Sequence, residues 1–262
     1  MKFFREMFIF YMKKQKKSVF FRFVRRLCLI FYRKYEISGL ENLPDEPCII
    51  AGNHSQMHGP LAAELFLPFD RRIWCAGQMM DKNEVQAYAY KDFWPYKPKY
   101  IQWFYKLLSY LIVPISVCIF NNAHTIGVYH DTRVIGTFRS TVRALEDGAN
   151  IIIFPEHDKD YNHILCDFQT RFVDTARLFY RKTGKELQFV PMYIAPKLRR
   201  IYFGKPVCFR HDAPIDEERE RICRYLMAEI TDTACALPEH TVVPYRNLSP
   251  KEYKTNIREA SL

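Results

Sequence analysis

Glycine is scarce, with nine in 262 residues, too few for a collagen-like chain or long Gly-rich linkers. The eight cysteines, at 28, 48, 75, 118, 166, 208, 223 and 235, include no Cys-x2-Cys pair. Most lie in apolar runs such as Pro47-Cys48-Ile49-Ile50 and read as small buried hydrophobes in a reducing compartment. A secretory signal is not read either: the early apolar run Met7 to Met12 spans six residues, ends at Lys13-Lys14 and has no small-residue cleavage pattern. No unbroken apolar span is fit for a transmembrane helix. The nearest, Leu107 to Phe120, is fourteen uncharged residues interrupted by Pro114. That length suits a buried core helix or a segment dipping into an interface, and the core reading is preferred.

Net charge is missing from most of the chain. Residues 1–34 hold eleven Lys/Arg against Glu6, while the remainder carries 28 basic and 28 acidic residues. The net +10 therefore belongs to an N-terminal arm. At helical spacing Phe20, Phe23, Val24, Leu27 and Phe31 share one face, and Arg22, Arg25, Arg26 and Arg33 fall opposite. A basic face backed by bulky aromatics describes a helix lying on a membrane with anionic lipids. A nucleic-acid binder would spread its basic footprint over the folded domain, so no nucleic-acid partner is expected.

A length of 262 residues allows one α/β core with an appendage. Hydrophobic residues at 48% with 26% charged indicate a folded chain rather than disorder. Short β-branched runs at 35–38, 48–51, 72–76, 125–129, 150–154, 187–194 and 201–203 predict strands. Helices are predicted over 60–67, 83–90, 100–111, 134–146, 168–183 and 216–236. The alternation predicts an α/β fold: a mostly parallel central sheet flanked by helices, preceded by the basic amphipathic helical arm. The expected organisation is arm 1–34, α/β domain 35–236 and a polar C-terminal extension 237–262.

Ligands of open α/β sheets bind beyond the carboxyl ends of strands. Two strand exits are chemically loaded here: Ala51-Gly52-Asn53-His54-Ser55-Gln56-Met57-His58-Gly59-Pro60, and Phe154-Pro155-Glu156-His157-Asp158. An apolar strand delivering His at one exit and Glu-His-Asp at the other reads as a paired site. His54 and His58, four apart, would share one helical face, a spacing usable for a metal with His157, Asp158 or Glu156. The alternative is a polar pocket, and no metal is assigned.

These residues resemble the glycerophospholipid acyltransferases of the lysophosphatidate acyltransferase type. Ile37-Ser38-Gly39-Leu40-Glu41-Asn42-Leu43-Pro44 and the run through Asn53-His54-Ser55 look like the approach to that family's N-H-x-S-x-x-D motif. Ala144 to Glu156 looks like the entry to F-P-E-G, Phe189-Val190-Pro191-Met192 like the later V-P-V strand, and Phe203-Gly204-Lys205-Pro206 like its G-x-P turn. Coverage runs from about 35 to 208 in the family's order. The chain departs as a divergent member. The motif carboxylate, five residues after the His, is Gly59; the motif serine is Gln56; and the F-P-E-G glycine is His157.

The resemblance implies O-acyl transfer, with no cofactor, from an acyl-CoA or acyl carrier protein thioester to a hydroxyl of a lysophospholipid or glycerol-phosphate-like acceptor. It implies a peripheral protein on the cytoplasmic face of the membrane. His54 would be the general base. Asn53, Ser55, His58, His157, Phe154 and Pro155 would line the acceptor site, and Glu156 would accept a glycerol hydroxyl. His130 or Arg133 would hold the acceptor phosphate, with Arg133 favoured for its fixed charge and bidentate geometry. A base without its acid is impaired, so Glu156, Asp158 or Asp81 is a candidate to reach the His54 ring. Two further readings stand beside acyl transfer: a lipid-binding pseudo-enzyme and a metal-assisted hydrolase using the histidines.

Overall fold

A computed structural model of the chain describes residues 18–93 and 99–257. The lysines and arginines of 1–17, and with them most of the expected basic arm, lie outside the described residues. The chain divides into two compact units. One comprises Met1–Phe31 with Arg72–Ser140, the other Tyr32–Arg71 with Thr141–Leu262. The architecture is mixed α/β, with a mostly parallel sheet flanked by helices.

In the second unit, β2 (Ile49–Gly52) runs parallel to β5 (Asn150–Ile153) on one side and to β8 (Gln188–Ala195) on the other. β9 (Arg200–Phe203) and β10 (Val207–Cys208) pair antiparallel with β8, and β1 (Glu36–Ser38) runs parallel to β9. Ile49, Ile50, Ile151, Ile152, Ile153 and Val190 are all buried. Central parallel strands covered on both faces read as unbroken apolar runs, and each such side chain contributes about 1.5–3 kcal/mol. Helices α2 (His58–Phe66), α6 (Asp174–Thr183) and α7 (Ile215–Ala236) belong to this unit. α7 lies against β8, and its Ile222, Leu226 and Ile230 are buried.

The register of β2 on β5 pairs Ile49 with Ile151 and Ala51 with Ile153. The two chemically loaded exits therefore emerge side by side at one end of the sheet. Asn150 fixes the opposite end: its Oδ1 accepts the Cys48 N–H at 2.9 Å.

The first unit holds α1 (Val19–Phe31), β3 (Arg71–Ala76, whose first residue belongs to the second unit), α3 (Val85–Phe93), α4 (Gln102–Asn122), β4 (Ile126–Val128) and α5 (Val134–Glu146, which continues into the second unit). β3 and β4 are parallel.

Two expectations are corrected. The apolar stretch 107–120 is no core helix: α4 continues through Pro114 to Asn122, and only 11% of its most apolar window is buried. The buried residues on this helix are Ser109 and Ser116, and Ile112, Val113 and Phe120, at helical spacing from them, are half-buried. The C-terminal stretch, expected as a surface extension, sends Val242, Val243, His240 and Asn256 into the interior. A hairpin of β6 (Glu156–Asp160) and β7 (Cys166–Phe168) was not visible in the sequence. Its first strand reads Glu-His-Asp-Lys-Asp and is mostly exposed, so it carries no apolar alternation.

All eight cysteines are free, with Cys48, Cys166 and Cys223 buried. Burial pushes the Cys48 thiol up to about 12. Replacing Asn150 by Ala strands the buried Cys48 N–H and should lower stability by about 1–3 kcal/mol in denaturant titration; an unchanged midpoint would remove this brace from the account.

Candidate active site

His54 leaves the carboxyl end of β2, and the chain turns at once. Ser55 and Gln56 both take left-handed backbone, with φ of 46° and 55°, a conformation costly for consecutive non-glycine residues. Side chains hold the turn in place. Asn53 mimics a strand partner: its Oδ1 accepts the Ile194 N–H at 2.7 Å, and its Nδ2 donates to the Ile194 carbonyl at 2.9 Å and to Ser55 Oγ at 2.7 Å. Gln56 Nε2 donates to Tyr253 Oη at 2.8 Å. Asn53 and Ser55 are buried, so both are committed to the scaffold.

The turn closes on Gly59, whose N–H donates to the His54 carbonyl at 3.0 Å. A Cβ at Gly59 would lie 2.5 Å from that carbonyl oxygen and 2.8 Å from that of Asn53. The position where the resembled family carries its carboxylate thus has no room for a side chain.

Glu156 comes from the β5 exit and is buried at 4% exposure. Its Oε1 accepts the His54 backbone N–H at 2.6 Å, and its Oε2 accepts the Cys166 N–H at 2.8 Å. Both oxygens are engaged by main chain, neither by the imidazole. Burial raises its pKa to about 7 from 4.5, against the pull of the two N–H donors. Its place beside His54 follows from the paired exits; its grip on main chain rather than ring does not.

The His54 ring stands edge-on to Phe154, with centroids 5.5 Å apart, and to Tyr245, 5.6 Å apart. Its Nδ1 is buried and, among the described residues, has no hydrogen-bond partner. Burial lowers the His54 pKa from the ordinary 6.5 and so favours the neutral imidazole, opposed by the Gln56 backbone. Tyr245 was not foreseen. It belongs to the C-terminal stretch, whose polar composition carries no sign of a return to the site.

His58 is half-buried, with Nδ1 in a short hydrogen bond to Tyr32 Oη. Burial lowers the His58 pKa, as does the Lys197 charge. His157 sits in β6 with Nε2 3.6 Å from Asp167. Pro155 is buried. Asp158, once a candidate partner for the ring, is bonded to Arg246 instead. Among the described residues no three His, Cys, Asp or Glu side chains are grouped to hold a metal ion.

His130 and Arg133 belong to the first unit. His130 is exposed. The Arg133 guanidinium is paired with Asp131 at 2.8 Å and with Glu84 at 2.8 Å, and lies over the Tyr129 ring at 4.0 Å. Its hydrogen bonds to Asp131 and Glu84 raise its pKa. It borders a cavity of about 800 Å³ that Met80, Asp81, Asn121 and Thr137 also line.

No protein-family model and no curated protein matches the sequence. Among solved structures, the chain is similar to the crystal structure of the 1-acyl-sn-glycerophosphate (LPA) acyltransferase PlsC from Thermotoga maritima. The TM-score is 0.48 and the identity 14%, over 90% of each chain.

Two substitutions probe the site. Glu156→Gln leaves one of two buried N–H groups without its acceptor and should cost about 1–3 kcal/mol. An acid whose folded pKa is raised stabilises fully below 4.5 and loses that contribution as pH rises through about 7. The wild type should therefore lose stability across that window, while Glu156→Gln should not, as read from denaturant midpoints. Gly59→Asp should destabilise by about 1–3 kcal/mol through overpacking and leave the His54 pKa, followed by NMR titration, without the rise a carboxylate partner would bring.

Proposed function

We propose that the protein transfers a fatty acyl group from an acyl thioester to a hydroxyl of a lysophospholipid or glycerol-phosphate-like acceptor at the cytoplasmic face of a membrane, with His54 as general base. What carries the reading is a neutral, aromatic-flanked imidazole at the carboxyl end of the central strand β2, in the motif order that resembles these acyltransferases. The acceptor hydroxyl gives its proton to the imidazole as its oxygen attacks the thioester carbonyl. The tetrahedral intermediate expels the thiolate, which takes that proton from the imidazolium, leaving an ester and a free thiol.

Here the ring is oriented by Phe154 and Tyr245 and by the Glu156 clamp on its own backbone. None of these stabilises the imidazolium as a bonded carboxylate does. In serine proteases the loss of such a carboxylate lowers turnover by about 10⁴-fold, so a slow enzyme is the expectation. The unpartnered Nδ1 favours a second reading, a lipid-binding protein without turnover.

Thioester-dependent acylation of lysophospholipid, abolished in His54→Ala with folding intact, supports the first reading. Lysolipid binding with no ester product in either protein supports the second. Because burial depresses the His54 pKa, activity should hold at neutral pH and fall only below 6.5. A fall beginning above 6.5 would assign the proton to another group.

Arg133 is proposed as a phosphate ligand within its own unit, where an incoming phosphate must compete with Asp131 and Glu84 for it. Asp131→Asn should then tighten inorganic phosphate binding; an unchanged affinity in both Asp131→Asn and Arg133→Ala would remove Arg133 as a phosphate ligand.

A further inference from the structure

Helix α4 (Gln102–Asn122) turns large apolar side chains outward. Its inner face is fastened by two serines, with half-buried Tyr105, Ile112, Val113 and Phe120 at helical spacing from them: Ser109 Oγ accepts Gln86 Nε2 at 2.9 Å, and Ser116 Oγ donates to the Met79 carbonyl at 2.9 Å. Near the helix end the exposed Asn121 Nδ2 donates to the Met80 carbonyl at 3.2 Å. The opposite face presents Trp103, Leu107 and Leu111, at 70%, 55% and 61% exposure, together with Phe104 and Ile115. A water-facing helix puts its apolar stripe inward and its serines outward. This one keeps bulky apolar side chains outward along its 21 residues, roughly 31 Å, and such a contiguous apolar patch marks an interaction surface.

The neighbouring helix indicates what covers it. α1 (Val19–Phe31) contacts α4 and is tied to its end by the Ser18 N–H donating to Asn122 Oδ1 at 2.8 Å. α1 leaves Phe23, Leu27 and Ile30 exposed and carries no acid; its Arg22 and Arg26 are exposed as well. Aromatic and aliphatic side chains beside unopposed arginines complement an anionic lipid surface.

We propose that α4, with α1 beside it, seats this protein in the plane of an anionic bilayer, its outward face sunk into the acyl-chain boundary without crossing. By length and composition α4 could cross a membrane, but a spanning α4 would carry Gln86 and the Met79 carbonyl, held by Ser109 and Ser116, into the hydrocarbon with it. The choice of lipid over a second protein chain rests on the lipid-directed function proposed above.

The test uses the full chain and phosphatidylcholine–phosphatidylglycerol vesicles. With phospholipids brominated near the headgroup end of the acyl chain, the fluorescence component lost in Trp103→Phe should be quenched, and more strongly than with bromines near the methyl end. Leu107→Glu combined with Leu111→Glu should weaken vesicle binding by about tenfold or more, with an unchanged circular dichroism spectrum. That double variant should still acylate a water-soluble short-chain acceptor as the wild type does, so failure of the surface and failure of the acyl-transfer reading are told apart. Absence of quenching, stronger quenching by the deep label, or a wild-type dimer in vesicle-free buffer that the double variant breaks would overturn the proposal.

Discussion

A buried carboxylate that accepts two main-chain N–H groups is the interaction on which the His54 region depends. Glu156 joins the backbone of His54, at the exit of β2, to that of Cys166, in the hairpin beyond β5. It turns two strand ends into one rigid edge. The left-handed pair Ser55-Gln56 can persist because that edge and the Asn53 clamp on β8 over-determine its path. The same commitment to main chain means that the Glu156 carboxylate does nothing for the tautomer of the imidazole.

Much of this was legible in the residues. Apolar runs ending in Asn53-His54 and in Phe154-Pro155-Glu156 specify parallel neighbours, and parallel register puts their ends together. Val134–Glu146 is a helix over the residues whose period predicts it. What could not be read was direction. Spacing places Glu156 near His54 but cannot say whether the carboxylate meets the ring or the main chain. Nor does spacing reveal that Gly59 is pressed against two carbonyl oxygens, or that Arg133 is balanced by Glu84, 49 residues earlier.

Helix α4 shows a second limit. Composition registers the stretch 107–120 as apolar and so suggests an interior. The two most buried residues are serines while Trp103, Leu107 and Leu111 are exposed, so apolarity alone does not predict burial here. Position along the helix, rather than the amount of apolar residue, carries the information.

The bond between Glu156 and His54 closes a loop of 102 residues, and β8, the other neighbour of β2, arrives later still in the chain. Contacts of such long range bring no reward until the intervening polypeptide has given up its freedom, so they form late. Amide protons at the β2 exit are therefore the natural gauge of complete folding: slow hydrogen exchange at His54 reports that three distant stretches of polypeptide have all arrived.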